Sequence, residues 1–312
     1  MALWQANRVA SLLTELPGAP RCELVVVQTT GDALAGVPVS QLGAQGAFVK
    51  EVQLALIDGR ADLAVHSAKD LPSATPRGLV LASVPERADP RDAIVGSTLD
   101  DLTTGATVAT GSVRRRAQLA WLRPDLTFCD LRGNMATRLE RAREVGAGVL
   151  ALAALERLGL TAHVAEVFDP GTLLPQVGQG ALGVECRQDD RDVISLLEAI
   201  DDHVAHAAVL AERSFLAALG GGCTLPLGAL AVAAEPREDL VLDGFLASRD
   251  GRILLRRQVT GTLSDPVALG TRLSHVLLDE CGGRSLDDWD DPDPEDVVPG
   301  TGTGIGTWAR HR

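Results

Sequence analysis

Three stretches of the sequence carry side chains whose types and spacing suit chemistry. Residues 111–143 hold eight arginines, at 114, 115, 116, 123, 132, 138, 141 and 143, against three acids, Asp125, Asp130 and Glu140. Arg114–Arg116 open a predicted helix directly after Thr110-Gly-Ser112, where free N–H groups and the helix dipole already favour anions. Arg132 ends one predicted strand beside Gly133, and Arg138 lies one turn into the next helix. Guanidinium groups grip carboxylates bidentately, which assigns Arg114, Arg115, Arg132 and Arg138 to anion binding and leaves Arg141 and Arg143 to a solvated helix face. The second stretch, His66-Ser-Ala-Lys-Asp-Leu-Pro72, puts Lys69 and Asp70 at the C-terminal end of an apolar strand, where open α/β sheets bind ligands. A carboxylate there can exchange protons or stabilise a developing cation, while the plainer reading is an exposed ion pair worth little. The third, Leu219-Gly-Gly-Gly-Cys-Thr-Leu-Pro-Leu-Gly228, sets Cys223 on a glycine-rich connection that Pro226 keeps from continuing as helix. A thiol so placed can face a cleft, although most lone cysteines are small buried hydrophobes.

Alternating apolar strands and amphipathic helices must position these groups. Helical spacing covers residues 2–16. Strands are predicted at Glu23–Gln28, Ala61–His66 and Leu79–Val84, with a glycine-rich loop at Thr29–Gln45 and a helix at Gly46–Ile57. After a connection through Pro85–Asp92 the rhythm repeats. The strands are Thr107–Thr110, Thr127–Leu131 and Gly148–Leu152; the helices are Ser112–Leu122, Asn134–Val145 and Ala153–Leu158. Both units read as α/β with largely parallel sheets. A strand at Ala181–Cys186 and a helix from Asp192 return the chain to the first unit, giving two lobes and a hinged cleft suited to a charged small molecule. From Val204 the pattern changes to helix, loop, antiparallel strands at 227–234, 239–248 and 252–260, and a last helix over Pro266–Asp279. The expected division is therefore residues 1–86 with 181–201, residues 87–180, residues 202–284, and a disordered acidic tail over 285–312.

Composition bounds the function. In 312 residues, 46% are hydrophobic and the net charge is −13, which disfavours nucleic acid or an anionic membrane as partner of the whole molecule. Five scattered cysteines without a CxxC pair argue against a disulfide framework and a zinc site, so no metal is expected. The start, Met1-Ala-Leu-Trp-Gln, lacks a basic leader and no apolar run has the length of a membrane span, which predicts a cytoplasmic location.

Six ordered motifs extend this reading: His66-Ser-Ala-Lys-Asp-Leu-Pro72, Glu86-Arg-Ala-Asp-Pro-Arg-Asp92, Ser112-Val-Arg-Arg115, Leu131-Arg-Gly-Asn134, Gln179-Gly-Ala-Leu-Gly-Val-Glu-Cys186 and Gly220-Gly-Gly-Cys-Thr-Leu-Pro226. Together they resemble the porphobilinogen deaminase (hydroxymethylbilane synthase) family, from residue 1 to about 281. The resemblance implies two periplasmic-binding-protein-like lobes and a smaller C-terminal α+β domain. It implies a monomeric transferase of tetrapyrrole and heme synthesis that joins four porphobilinogen molecules head to tail, releasing ammonia, to give hydroxymethylbilane. The primer is a dipyrromethane cofactor held by a thioether to the cysteine matching Cys223. Asp70 is implied as the acid/base. Lys69, Ser112, Arg114, Arg115, Arg132, Arg138 and Arg157 are implied as contacts for acetate and propionate groups, and Phe48 as a cleft aromatic that stacks on pyrrole rings.

Two departures stand beside the resemblance. The family opens with a strand and an Arg-x-Ser turn before the position of Met1, which reads as a start site assigned too late or a truncated, impaired deaminase. Gln41 and Gln45 stand where loop lysines are expected, so some cofactor carboxylate contacts must be made otherwise. The rival is a non-catalytic two-lobe binding protein for a small anion; it explains the arginines but gives no reason for Cys223, for the third domain or for Asp70.

Overall fold

The computed structural model describes residues 1–18, 20–27, 49–220, 226–234 and 239–286. Helix α1 (Ala2–Thr14) buries Val9 and Leu13, and α2 (Lys50–Ile57) buries Leu56, on either side of strand β1 (Leu63–Ser67). In β1 the alternating burial turns Ala64 and His66 inward, as a two-residue side-chain period requires. A single 3₁₀ turn, Ala68–Asp70, closes the strand, and β2 (Leu79–Ser83) follows. The second unit comprises β3 (Asp92–Val95), β4 (Thr107–Ala109), α3 (Val113–Leu122), β5 (Thr127–Cys129), α4 (Met135–Val145), β6 (Gly148–Ala151), α5 (Leu152–Arg157) and β7 (Val164–Val167). The chain returns through β8 (Leu182–Arg187) and α6 (Arg191–Glu198). It ends in α7 (His203–Ala218), β9 (Leu227–Ala234), β10 (Asp239–Ala247), β11 (Leu254–Thr262) and α8 (Pro266–His275).

Polar caps fix where these helices start. Ser112 accepts from the Arg115 N–H, Asn134 from Thr137, Asp190 from Val193, and Asp202 from both Val204 and Ala205. Each satisfies a donor that the first helical turn leaves free, worth about 1 kcal/mol.

The elements build three sheets, ordered β1-β8-β2, β5-β4-β6-β3-β7 and β11-β10-β9. The expectation of largely parallel sheets does not hold. In the first sheet β8 pairs antiparallel with both neighbours, because the returning strand inserts between β1 and β2 and runs against them. The second sheet is mixed: β4 is parallel to β5 and β6, whereas β3 is antiparallel to β6 and β7. The third is antiparallel throughout, its face covered by α7 and α8 over Phe215, Leu242, Leu246 and Leu273. The expected buried strand at Glu23–Gln28 is also corrected. Residues 20–27 form no strand, and Leu24, Val25 and Val26 are 44%, 53% and 89% exposed. An apolar run forms a buried strand only where a partner offers a ladder, and no described strand pairs with this one. Ser285 and Leu286, placed in the disordered acidic tail by sequence, are ordered, with Ser285 ending a 3₁₀ turn and Leu286 buried in the third core; residues 287–312 lie outside the described residues.

Two crossings join the first and second units side by side. Val84–Asp92 leads out, Gln176–Ala181 leads back, and the Ala88 N–H donates to the Gly180 carbonyl at 3.3 Å. Gly180 has φ +86°, and a Cβ there would stand 2.4 Å from the Ala88 carbonyl oxygen, so only glycine fits this close approach. Helix α7 braces both crossings. Its buried Glu212 accepts from Arg87 Nη1 and Nη2 at 2.6 and 3.1 Å, from the Gly178 N–H at 2.7 Å and from the Ala231 N–H at 2.9 Å. One carboxylate thus ties the outgoing crossing, the returning crossing and the third sheet together.

Candidate active site

The Lys69–Asp70 turn projects from the end of β1 because Ala68 and Leu71, on either side of the pair, are anchored. Both lie in a core with Val84, Ala181, Ala205 and Val209, and the Ala68 N–H donates to the Ala181 carbonyl at 3.0 Å. Gly178 passes so close that a Cβ would stand 2.9 Å from the Ala68 carbonyl carbon. The two polar residues between these anchors are left facing the space between the units.

Across that space stands a buried ion cluster. Asp92, at the start of β3 and fully buried, accepts from Arg114 Nη2 on one oxygen and from Arg115 Nη2 on the other, each at 2.7 Å. Arg114 also donates to the Leu174 carbonyl at 2.6 Å, and Arg115 to that of Val149 at 2.9 Å. Two cations in the first turn of a helix oppose its dipole, and the shared carboxylate offsets that cost. Gln179 completes the link: its Nε2 donates to Asp92 at 2.8 Å, and its Oε1 accepts from Lys69 Nζ at 3.5 Å. A continuous polar path therefore runs from Lys69 of the first unit through Gln179 to Asp92 and both arginines of the second.

The charges shift one another's proton affinities. Burial would raise the Asp92 carboxyl, but the charges of Arg114 and Arg115 and the hydrogen bonds from Arg115 and Gln179 hold it well below the usual carboxylate range. Burial lowers Lys69, aided by Arg115 and Arg114 and opposed by Asp70 and Asp92. Burial raises the Asp70 carboxyl, against the pull of Lys69, His66 and Arg138. Asp70 nevertheless has an exposed surface. A carboxyl that keeps its proton to higher pH, beside cations that stabilise its anion, suits acid/base exchange.

The remaining predicted residues are placed as follows. Arg138, half-buried, donates from Nε to the Gly133 carbonyl at 2.8 Å and feels both Arg115 and Asp70, so it belongs to the same field. Arg157 donates to the Gly180 carbonyl at 2.7 Å, and its guanidinium lies 5.4 Å from the Trp4 ring centroid. Ser112 is spent on its cap, accepting from the Arg115 N–H at 3.4 Å. Arg132 is exposed and paired with Asp130 at 2.8 Å, with no bond to the cluster. Arg114 lies in the interior, 3% exposed, rather than on the cleft wall. Cys223 and Phe48 lie outside the described residues. Sequence reasoning missed Asp92, Gln179, Glu212 and Trp4 as parts of this site. For two of them a signal existed: Gln179 is an amide between two glycines at a lobe crossing, and Asp92 closes the motif Glu86-Arg-Ala-Asp-Pro-Arg-Asp92. Among the described residues no group of His, Cys, Asp and Glu is arranged to hold a metal ion.

The family model described as "Porphobilinogen deaminase, dipyromethane cofactor binding domain" matches residues 1–195, and that of the "Porphobilinogen deaminase, C-terminal domain" matches residues 206–279. The chain belongs to the porphobilinogen deaminase family. A porphobilinogen deaminase of Roseiflexus sp. (strain RS-1) is 51% identical over 265 residues, covering 83% of this chain and 86% of the relative. That of Roseiflexus castenholzii is 49% identical over 92% of this chain and 95% of the relative, and that of Moorella thermoacetica is 45% identical over 92% of each. Among solved structures, an arginine-specific periplasmic binding protein of Salmonella typhimurium matches 51% of this chain and 72% of its own at 17% identity, with a TM-score of 0.30, too low to carry an argument. The family's match runs through the Lys69–Asp70 turn, the arginine helix and both crossings, so the cluster described above falls within it.

Proposed function

We propose that the chain is a porphobilinogen deaminase: a transferase that joins four porphobilinogen units head to tail into hydroxymethylbilane and releases ammonia at each step. The observation that supports this reading is the Lys69–Asp70 turn set opposite the Arg114–Asp92–Arg115 cluster, which Gln179 joins to Lys69. Asp70 is the acid/base. Protonated, it can donate toward the departing amine; ionised, it stabilises positive charge developing on the reacting pyrrole. Lys69, Arg115, Arg138 and Arg157 supply the contacts for acetate and propionate groups, while Arg114 secures Asp92 from the interior and Ser112 caps the arginine helix. The reach of Arg115 is set by its anchor on Asp92.

The dipyrromethane cofactor bears the same acidic groups, and the residues present fit it. The buried Nε atoms of Arg115 and Arg157 have no hydrogen-bond partner among the described residues, and Lys69 and Arg138 add charge beside them. Attachment would fall to Cys223, whose thiolate would form the thioether at the methylene carbon freed by loss of ammonia, and Phe48 would stack on a pyrrole ring; both lie outside the described residues. When bound, the cofactor supplies the end on which the pyrrole chain grows. The three sheets support a division into residues 1–86 with 181–201, residues 87–180 and residues 202–284. A cytoplasmic, monomeric enzyme is the form we assign; among the described residues no helix is long and apolar enough to cross a membrane. The test is incubation of the purified chain with porphobilinogen, following ammonia and bilane together. Substrate loss with ammonia release in the wild type, and neither in Asp70→Asn, is expected; equal turnover in both would remove Asp70 from the chemistry.

A further inference from the structure

Behind the Asp70 turn lies a buried polar group to which nothing in the proposed chemistry assigns a part. Glu185, on the middle strand β8, has no exposed surface. Its Oε2 accepts from Gln53 Nε2 at 2.8 Å and stands 3.3 Å from His66 Nε2 without hydrogen-bond geometry, while Oε1 has no partner among the described residues. A carboxyl oxygen buried without a partner is costly to leave unmet. Two basic side chains stand near it. His66, 6% exposed, lies on β1 four residues before Asp70, and its charge acts on Asp70. Arg213, also 6% exposed, projects from α7, feels Glu185, and reaches the Ser73 carbonyl three residues beyond Asp70, at 3.5 Å.

We propose that Glu185, seated by Gln53, is a positioning residue for the Lys69–Asp70 turn that acts through His66, whose Nε2 stands 3.3 Å from its Oε2 at the start of segment 66–73. The far end of the segment is held separately, by Arg213 on the Ser73 carbonyl. Gly183 makes room for this: it lies opposite His66 in the ladder, and a Cβ there would press the Leu71 side chain at 2.9 Å. The groups facing Glu185 are His66 from β1, Gln53 from α2 and Arg213 from α7; those facing Asp70 are Lys69 and His66 from its own segment and Arg138 from α4. Glu185 touches no reacting atom. It acts through the geometry of the turn.

The proposal rests on Asp70 being the acid/base, so its test includes a readout that needs no activity. In Glu185→Gln of the full chain, amide hydrogen exchange at Ala68 and Leu71, whose N–H groups bond Ala181 and Ala68 within the turn, is expected to accelerate at least tenfold. Amides of β10 are expected to stay unchanged. With porphobilinogen, kcat is expected to fall at least tenfold with KM within twofold. His66→Leu, which removes the side chain between Glu185 and the turn while leaving Gln53 on Glu185, is expected to give the same confined acceleration, and it carries the test should Glu185→Gln fail to fold. Exchange unchanged in the turn, or accelerated equally in β10, would overturn the proposal and leave Glu185 with a general structural role. A wild type that does not consume porphobilinogen would instead contradict the proposed function, and the exchange pattern would still decide the positioning role.

Discussion

The Asp92 carboxylate and the Arg115 guanidinium meet at 2.7 Å in the interior, and through Gln179 the same carboxylate is linked to Lys69 of the other unit. Arg114 and Arg115 are therefore not loose surface groups. They belong to a buried charge cluster whose one anion sets where its cations point.

Asp92→Asn should be severe, because it leaves Arg114 and Arg115 buried without a counter-charge. The expected loss is about 3–5 kcal/mol in urea unfolding. The pH dependence follows from the sign of the shift. The folded carboxyl is held below its ordinary value, so its contribution is complete above about pH 4 and is lost only as pH falls through the lower folded value. The gap between wild type and variant should be constant from neutral pH down to about pH 5 and narrow only in strong acid.

Asp70→Asn should spare the fold and remove the chemistry. Its carboxyl is raised by burial, so the ionised form is disfavoured by folding and amide replacement should not lower stability. Turnover should fall by roughly 10²–10⁴, the usual contribution of a positioned acid or base. Wild-type turnover should be lost on the acid side at a pH above the ordinary carboxylate range, and a stopped assay against pH reads that limb.

Arg138→Lys keeps the charge but loses the planar fork. Its Nε anchors to the Gly133 carbonyl, so the guanidinium is aimed and the ammonium is not. An increase of about tenfold in KM for porphobilinogen, equivalent to about 1.4 kcal/mol, is expected with a smaller change in kcat. Arg132→Lys, at an exposed pair with Asp130, should change stability by less than about 1 kcal/mol.

Gly180→Ala tests the crossing. The new Cβ would meet the Ala88 carbonyl at 2.4 Å, at a φ of +86° that side chains rarely adopt. Strain of about 1–3 kcal/mol and an overpacking cost of similar size should appear in thermal unfolding. Gly159→Ala, also at positive φ but with nothing within 4 Å, should lose only the strain.

Much of the fold was legible because it rests on local patterns. The period of β1 and the caps at Ser112, Asn134 and Asp202 announce themselves in a few residues. What sequence did not reveal is long-range. Leu24–Val26 reads as a buried strand by composition, yet burial depends on a partner ladder that lies elsewhere in the chain or nowhere among the described residues. The strands at Asp92–Val95 and Val164–Val167 are too short for a period to show. Lys69 and the arginines near 114 were recognisable singly as anion contacts. That Arg114 is interior depends on Asp92, 22 positions away, and on Gln179, 87 positions from Asp92.

Growth of a pyrrole chain on a primer held by Cys223 is tested most directly by the intact mass of the purified, denatured protein. An excess matching one dipyrromethane, mapped to the Cys223 peptide and absent from Cys223→Ser, is the predicted result. An unmodified mass from folded protein supplied with porphobilinogen would contradict it.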